Sequence, residues 1–273
     1  MKTKGIKLRW LYETCYEIVL PNGTVILTDP DLTLHGLEVA AKDIERVDYI
    51  LVTHTHYDHT SDIGYLVEKF GCKLLVGELS AQDLCRCFNL PYSCIYPVGA
   101  DETFEFPDVT FHCFRGKHTA PPPDPKRGRP ESAYVTTVNR FGFEGHGNSD
   151  QYGWLEFFDY VIMAPNNQTI MICGGIPAFA KAQEVAKRYR PDVLIRQLGG
   201  LPDPVSYAEW VDKTGARIVF PSHHENIERK FGKPAAEVAV DVNKALQGMG
   251  SLSVFVDPKQ FAWYEICTQI DLL

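Results

Sequence analysis

The sequence predicts an α/β fold, two mixed β-sheets packed face to face with helices on their outer faces, a four-layer αββα sandwich. Three observations predict it. Short apolar runs of strand length alternate with helical stretches through most of the 273 residues. The alternation is repeated, so the chain reads as two similar halves. In each half a strand runs directly into histidines, at His54 and again at His223, which puts the chemistry-bearing residues at one edge between the sheets.

Hydrophobic residues at 45% and charged residues at 23% are ordinary globular values, and 273 residues bury a substantial core. We read residues 1–273 as one domain. The net charge is −8 with no long basic run, which argues against a nucleic-acid partner. No apolar run approaches membrane-spanning length, and the Lys-containing start has no apolar segment behind it, so no membrane partner and a cytoplasmic location are expected. The eight cysteines form no Cys-x-x-Cys pair or compact disulfide framework and read as reduced thiols.

In order, residues 6–12, 15–20 and 24–28 read as a strand meander, with Pro21-Asn22-Gly23 as a turn. A helix near 41–46 precedes the apolar strand Tyr49-Ile50-Leu51-Val52. Ser61 or Asp62 can cap a helix that Gly71 closes. A strand at 73–76, a helix at 81–88 capped by Ser80, and strands at 95–98, 103–106 and 109–114 follow. Residues 120–153 interrupt the pattern. Pro121-Pro122-Pro123-Asp124-Pro125 is stiff, Lys126, Arg127 and Arg129 add positive charge, and 142–153 is glycine-rich, which is the composition of a lid or substrate loop and equally of a solvated surface loop or an oligomer contact. Within it, Glu144 and His146 are candidates to reach inward. Strands at 154–163, 168–173, 193–196 and 217–220 and helices at 178–189, 206–213 and 234–246 make the second half, with strands near 253–255 and 261–264 at the end.

The chemistry gathers in His54-Thr55-His56-Tyr57-Asp58-His59. Three imidazoles and a carboxylate directly after a buried strand suit zinc, manganese, iron or nickel. In extended chain His54 and His56 share a face and can hold one ion. Asp58 and His59, in the turn before the next helix, can face a second.

This stretch resembles the His-x-His-x-Asp-His signature of the metallo-β-lactamase superfamily. Within it the chain looks similar to the ascorbate-6-phosphate lactonase-like metal-dependent hydrolases. The resemblance implies the metallo-β-lactamase type of sandwich and one or two divalent metal ions, zinc foremost, with manganese or iron as substitutes. It implies His54, His56 and His118 as ligands of the first ion, and Asp58, His59 and His223 of the second. His112 competes with His118, and His224 with His223. Asp29, at the end of a strand, matches a residue that supports the metal loop by hydrogen bonding; an ordinary Asp-Pro turn is the other reading. One position departs from the pattern. Where most members carry an aspartate bridging both ions, this chain has Gly175, and Asp150, Asp159 or Glu225 are the candidate replacements.

The function expected on this basis is hydrolysis of a small, anionic molecule, a lactone or phosphoester, by metal-activated water, with Asp58 as the catalytic residue that orients the water or relays its proton. The partner is then a small-molecule substrate, with a homo-oligomer open. The alternative is a non-catalytic metal- or ligand-binding member of the fold, marked by Gly175.

Overall fold

A computed structural model of the chain describes residues 5–118, 153, 156–175, 180–198 and 201–267. Two seven-stranded mixed sheets form its centre. The first contains β1 (Ile6–Tyr12), β2 (Cys15–Val19), β3 (Val25–Thr28), β4 (Tyr49–Leu51), β5 (Lys73–Gly77), β6 (Ile95–Val98) and β14 (Tyr264–Ile266). Its order is β14-β1-β2-β3-β4-β5-β6. The second contains β7 (Glu102–Glu105), β8 (Thr110–Arg115), β9 (Phe158–Met163), β10 (Thr169–Cys173), β11 (Val193–Arg196), β12 (Ile218–Phe220) and β13 (Val254–Phe255). Its order is β13-β12-β11-β10-β9-β8-β7. Each sheet starts as an antiparallel meander and continues in parallel strands, β3 to β6 in one and β10 to β13 in the other. That shared plan is the twofold repeat seen in the sequence.

Three apolar layers hold four layers of structure together. Leu8, Ile18, Tyr49, Leu51, Phe111, Tyr160 and Ile172 interdigitate between the sheets. Ile50, Val52, Leu74 and Val76, alternating with them, pack outward on Leu66 and Val67 of α1 (Ile63–Phe70) and Leu84 of α2 (Glu78–Phe88). On the other side Met171, Leu194 and Val219 meet α3 (Ala180–Tyr189), α4 (Pro204–Thr214) and α5 (Ala235–Gly248). Both faces of the parallel strands are therefore covered, which is why they read as continuous apolar runs. Among the described residues, no helix is long and apolar enough to cross a membrane. All eight cysteines are free, and Cys15, Cys72, Cys85, Cys113 and Cys173 are buried.

Several boundaries differ from expectation for local reasons. The helix expected at 41–46 is a single 3₁₀ turn, Ala41–Asp43, because Ile44 turns back to extended backbone with φ −72° and ψ 128°. Asp62 does not cap α1 with its side chain; its Oδ2 accepts the backbone N–H groups of Leu32 (2.6 Å) and Thr33 (3.1 Å) instead. Ser80 lies inside α2 rather than at its cap. The orphan amides of that helix start are served from another element: Glu156 accepts from Leu79 N (3.1 Å) and Ser80 N (3.2 Å), and from Ser80 Oγ (3.0 Å).

Candidate metal centre

The parallel strand β4 ends where the two sheets are stitched together. Tyr160 donates its hydroxyl to Val52 O (2.7 Å), and Phe158 N donates to Thr53 O (2.8 Å). The chain leaving β8 is held by Gly116 N, which donates to Phe157 O (2.9 Å). These bonds bring the loop after β4 and the loop after β8 to the same edge. His54, His56 and His118 meet there, with one ligand atom from each lying within 4.8 Å of the others. The ring centroids of His54 stand 4.5 Å from His56 and 5.0 Å from His118. Phe157 stacks on His54 at 4.7 Å and closes the apolar side.

Hydrogen bonding fixes the tautomer of His54. Thr53 Oγ1 donates to Asp29 Oδ2 (2.8 Å), so it can only accept from His54 Nδ1–H, 3.0 Å away. The lone pair is then on Nε2, which is buried and makes no hydrogen bond among the described residues. Leaving such an atom unsatisfied costs about 1–3 kcal/mol. A cation ligated at Nε2 removes that cost, so this donor set fits a divalent metal. Burial, with neighbouring imidazoles adding to it, holds His54 well below the usual histidine pKa. Burial pushes His56 down to about 3, against the opposing pull of Asp58. Both rings are thus neutral and ligand-ready at neutral pH.

Asp29 supports this loop twice over. Besides Thr53 Oγ1, it accepts Thr53 N at Oδ1 (2.7 Å), and its Oδ2 lies 3.0 Å from His59 Nδ1. Asp29 itself sits at φ 40°, a left-handed conformation uncommon for a non-glycine residue and of a kind that clusters at functional sites. With Nδ1 committed, His59 Nε2 faces Asp58 Oδ1 at 3.8 Å, and its ring lies 5.8 Å from that of His223. Burial opposes charge on His59, but Asp29, Asp58 and Glu13 outweigh it and lift the imidazole to about 9. A cation at Nε2 displaces that proton. Burial also works against the Asp58 carboxylate, yet His59, His56 and His223 together hold it below its ordinary range.

His223 groups differently from the expected trio. One ligand atom each from His223, Glu13 and Glu225 lies within 4.8 Å of the others. Of the candidate replacements for the missing carboxylate, Glu225 therefore groups with His223. Glu13, from the turn between β1 and β2, is a residue the sequence reading missed. It has no spacing relation to any histidine, so no linear motif could have found it. Burial and the nearby Asp58 carboxylate drive Glu13 up to about 9.

The competing histidines point elsewhere. His112 bonds Thr103 Oγ1 (3.1 Å) and stacks on Tyr189 of α3 at 4.9 Å. His224 Nε2 pairs with Asp257 Oδ1 at 2.7 Å. Asp159 does not join either ligand group; its Oδ1 accepts the backbone N–H of Gly174 (3.1 Å). Asp150, Glu144 and His146, and the 120–153 insertion apart from Gly153, lie outside the described residues. Gly153 itself sits against the metal loop, since a Cβ there would come 2.4 Å from His56 Cδ2.

Gly175 lacks room as well as a side chain. A Cβ at that position would stand 2.2 Å from the backbone oxygen of Lys117, and the Gly175 carbonyl accepts from the buried Arg196 guanidinium (3.2 Å). Arg196 in turn lies over Trp210 at 3.9 Å. Gly175→Ala is expected to lower stability by roughly 1–3 kcal/mol in denaturant titrations, because the neighbour is backbone and cannot swing away. Restoring an aspartate there meets the same obstacle.

Asp159 yields a pH prediction. Burial outweighs the nearby Arg196 guanidinium and raises its carboxyl from 3.8 to about 7. The folded state therefore binds this proton more tightly than the unfolded chain. Its stabilising contribution is full below pH about 3.8 and fades as pH rises through about 7, a loss on the order of 4 kcal/mol. In metal-free protein, Asp159→Asn should gain stability relative to wild type between pH 4 and 7. Parallel pH curves for the two proteins would contradict this.

The family model described as "Beta-lactamase superfamily domain" matches residues 24–224. A "UPF0173 metal-dependent hydrolase" of Myxococcus xanthus is 26% identical over 237 residues, covering 86% of this chain and 76% of the relative. Among solved structures, a metallo hydrolase from the hyperthermophilic archaeon Ignicoccus hospitalis superposes with TM-score 0.68 at 16% identity, covering 96% of this chain and 99% of that one. An isothiocyanate hydrolase from Delia radicum gut bacteria superposes with TM-score 0.63 at 15% identity, covering 96% and 100%. At these identities the structural likenesses speak to the fold alone.

Proposed function

The chain belongs to the beta-lactamase superfamily domain family, and from that premise we propose that it is a metal-dependent hydrolase acting on a small anionic molecule through a lactone or phosphoester bond. The observation that carries the reading is the buried, unsatisfied Nε2 of His54, grouped with His56 and His118. The relatives named as metal-dependent hydrolases support it. The sequence likeness to lactonase-like members and the basic residues Lys126, Arg127 and Arg129 favour an anionic lactone or phosphoester.

His54, His56 and His118 would hold one ion, and Asp58, His59 and His223 a second. Bound there, a divalent ion such as zinc lowers the pKa of water from about 15.7 towards about 7 and polarises the substrate's carbonyl or phosphoryl oxygen. The residues of the chain do the rest. Asp58, held below the usual carboxylate range by the imidazoles around it, accepts the proton of the attacking water and holds it in line. Asp29 fixes His59 through Nδ1 and His54 through Thr53, so neither ring can turn away. Phe157 excludes water from behind His54.

A panel of lactones, phosphomonoesters and phosphodiesters offered to zinc-loaded and manganese-loaded protein tests the reading. Turnover of one class, lost on chelation and restored by the metal, is the expected result. Metal binding without turnover of any class would instead favour a non-catalytic ligand-binding member of the fold, the reading that Gly175 motivates.

A further inference from the structure

Gly175 cannot supply a carboxylate to the Asp58 side of the centre, and the Lys117 backbone carbonyl leaves no space for one. An acid has nevertheless been brought to that side by a different element. Glu13 stands in the turn between β1 and β2 with φ 44°, and His223 follows β12 with φ 50°. Two non-glycine residues in the left-handed region persist only where surrounding structure imposes them. Here it does: His223 N donates to Glu13 O (2.8 Å), and Trp10 Nε1 donates to the same carbonyl (3.1 Å). Tyr16 OH donates to Pro221 O (2.6 Å), tying β2 to the loop that carries His223.

The side chains are arranged to match. Glu13 Oε2 is buried and makes no hydrogen bond among the described residues. Glu13 also lies near Asp31 and His35, but that pair is already satisfied, with His35 Nε2 on Asp31 Oδ2 at 2.7 Å and Ser61 Oγ donating to Asp31 Oδ1. Glu225 Oε1 lies 3.3 Å from His223 Nδ1 and accepts from Asn226 Nδ2. Glu225 thereby engages Nδ1 of His223, as carboxylates beside metal-bound histidines do.

We infer that Glu13 is a ligand of the second divalent cation, supplying from the β1–β2 turn the carboxylate that position 175 lacks. The inference rests on the metal-dependent reading above and goes beyond it by naming the oxygen donor.

Zinc binding to metal-free protein tests it, read as stoichiometry by equilibrium dialysis with elemental analysis. Cobalt(II) absorption on the first and second equivalents gives the coordination signature. Wild type should bind two zinc ions per chain. Glu13→Gln should keep the first, with an unchanged first-equivalent cobalt spectrum, and hold the second at least about tenfold more weakly. Glu13→Asp, whose shorter side chain tolerates the left-handed turn better, should weaken the second ion in the same way. Thermal unfolding of the metal-free variants shows that they are folded. Two ions bound with wild-type affinity by the folded variants would overturn the inference, as would wild type saturating at one ion, which leaves the histidine trio and the hydrolase reading standing. No ion bound by wild type would overturn the hydrolase reading itself.

Discussion

Replacing His54 by alanine is expected to abolish hydrolysis and to remove the first metal ion while leaving the fold intact. His54 is central to the site: its ring lies 4.5 Å from His56, 3.9 Å from His59 and 5.0 Å from His118. Its Nδ1 is held by Thr53 and its Nε2 has no other use among the described residues. Without this nitrogen the remaining pair, His56 and His118, falls short of the three protein ligands that a catalytic zinc needs. Losing the several kcal/mol of charge stabilisation an ion supplies corresponds to a fall in rate on the order of 10³-fold or more. Elemental analysis and circular dichroism on the variant separate loss of metal from loss of structure. An active His54→Ala protein would require the reacting centre to lie elsewhere.

Asp58→Ala should be as damaging to turnover by a different route. The carboxylate faces His59 Nε2 at 3.8 Å and is kept ionised by the surrounding imidazoles. Its removal deletes the proton acceptor, worth about 10²–10⁴-fold in rate. The His54, His56 and His118 group does not depend on it, so the first ion should remain bound. The expected pattern is thus a low kcat with one ion retained. Retained activity would exclude Asp58 from proton transfer and leave His59 or a second carboxylate to be tested.

Much of the fold was legible because each apolar strand carries its own evidence. Tyr49-Ile50-Leu51-Val52 reads as buried on both faces, and the structure gives Tyr49 and Leu51 to the inter-sheet core and Ile50 and Val52 to the helices. The histidine cluster was legible for the same reason, since side chains two apart in extended backbone share a face. Asp29 was ambiguous in sequence because Asp-Pro is also a common turn; only its contacts with Thr53 and His59 separate the readings. What sequence could not show were meetings across the chain. Glu156 caps α2 from the far side of the insertion, and Glu13 reaches His223 from the first hairpin. Neither has a local pattern, because the partner that gives it meaning lies in another element. The obstruction at Gly175 is of the same kind, set by the Lys117 carbonyl passing alongside.

The central claim is that this edge of the sandwich is a metal centre. Elemental mass spectrometry of protein purified without added metal or a histidine tag, before and after reconstitution with zinc, tests it most directly. At least one transition-metal ion per chain, retained through dialysis and lost in His54→Ala, is the predicted result. A chain that stays metal-free after reconstitution would contradict the account, leaving the buried Nε2 of His54 to another ligand.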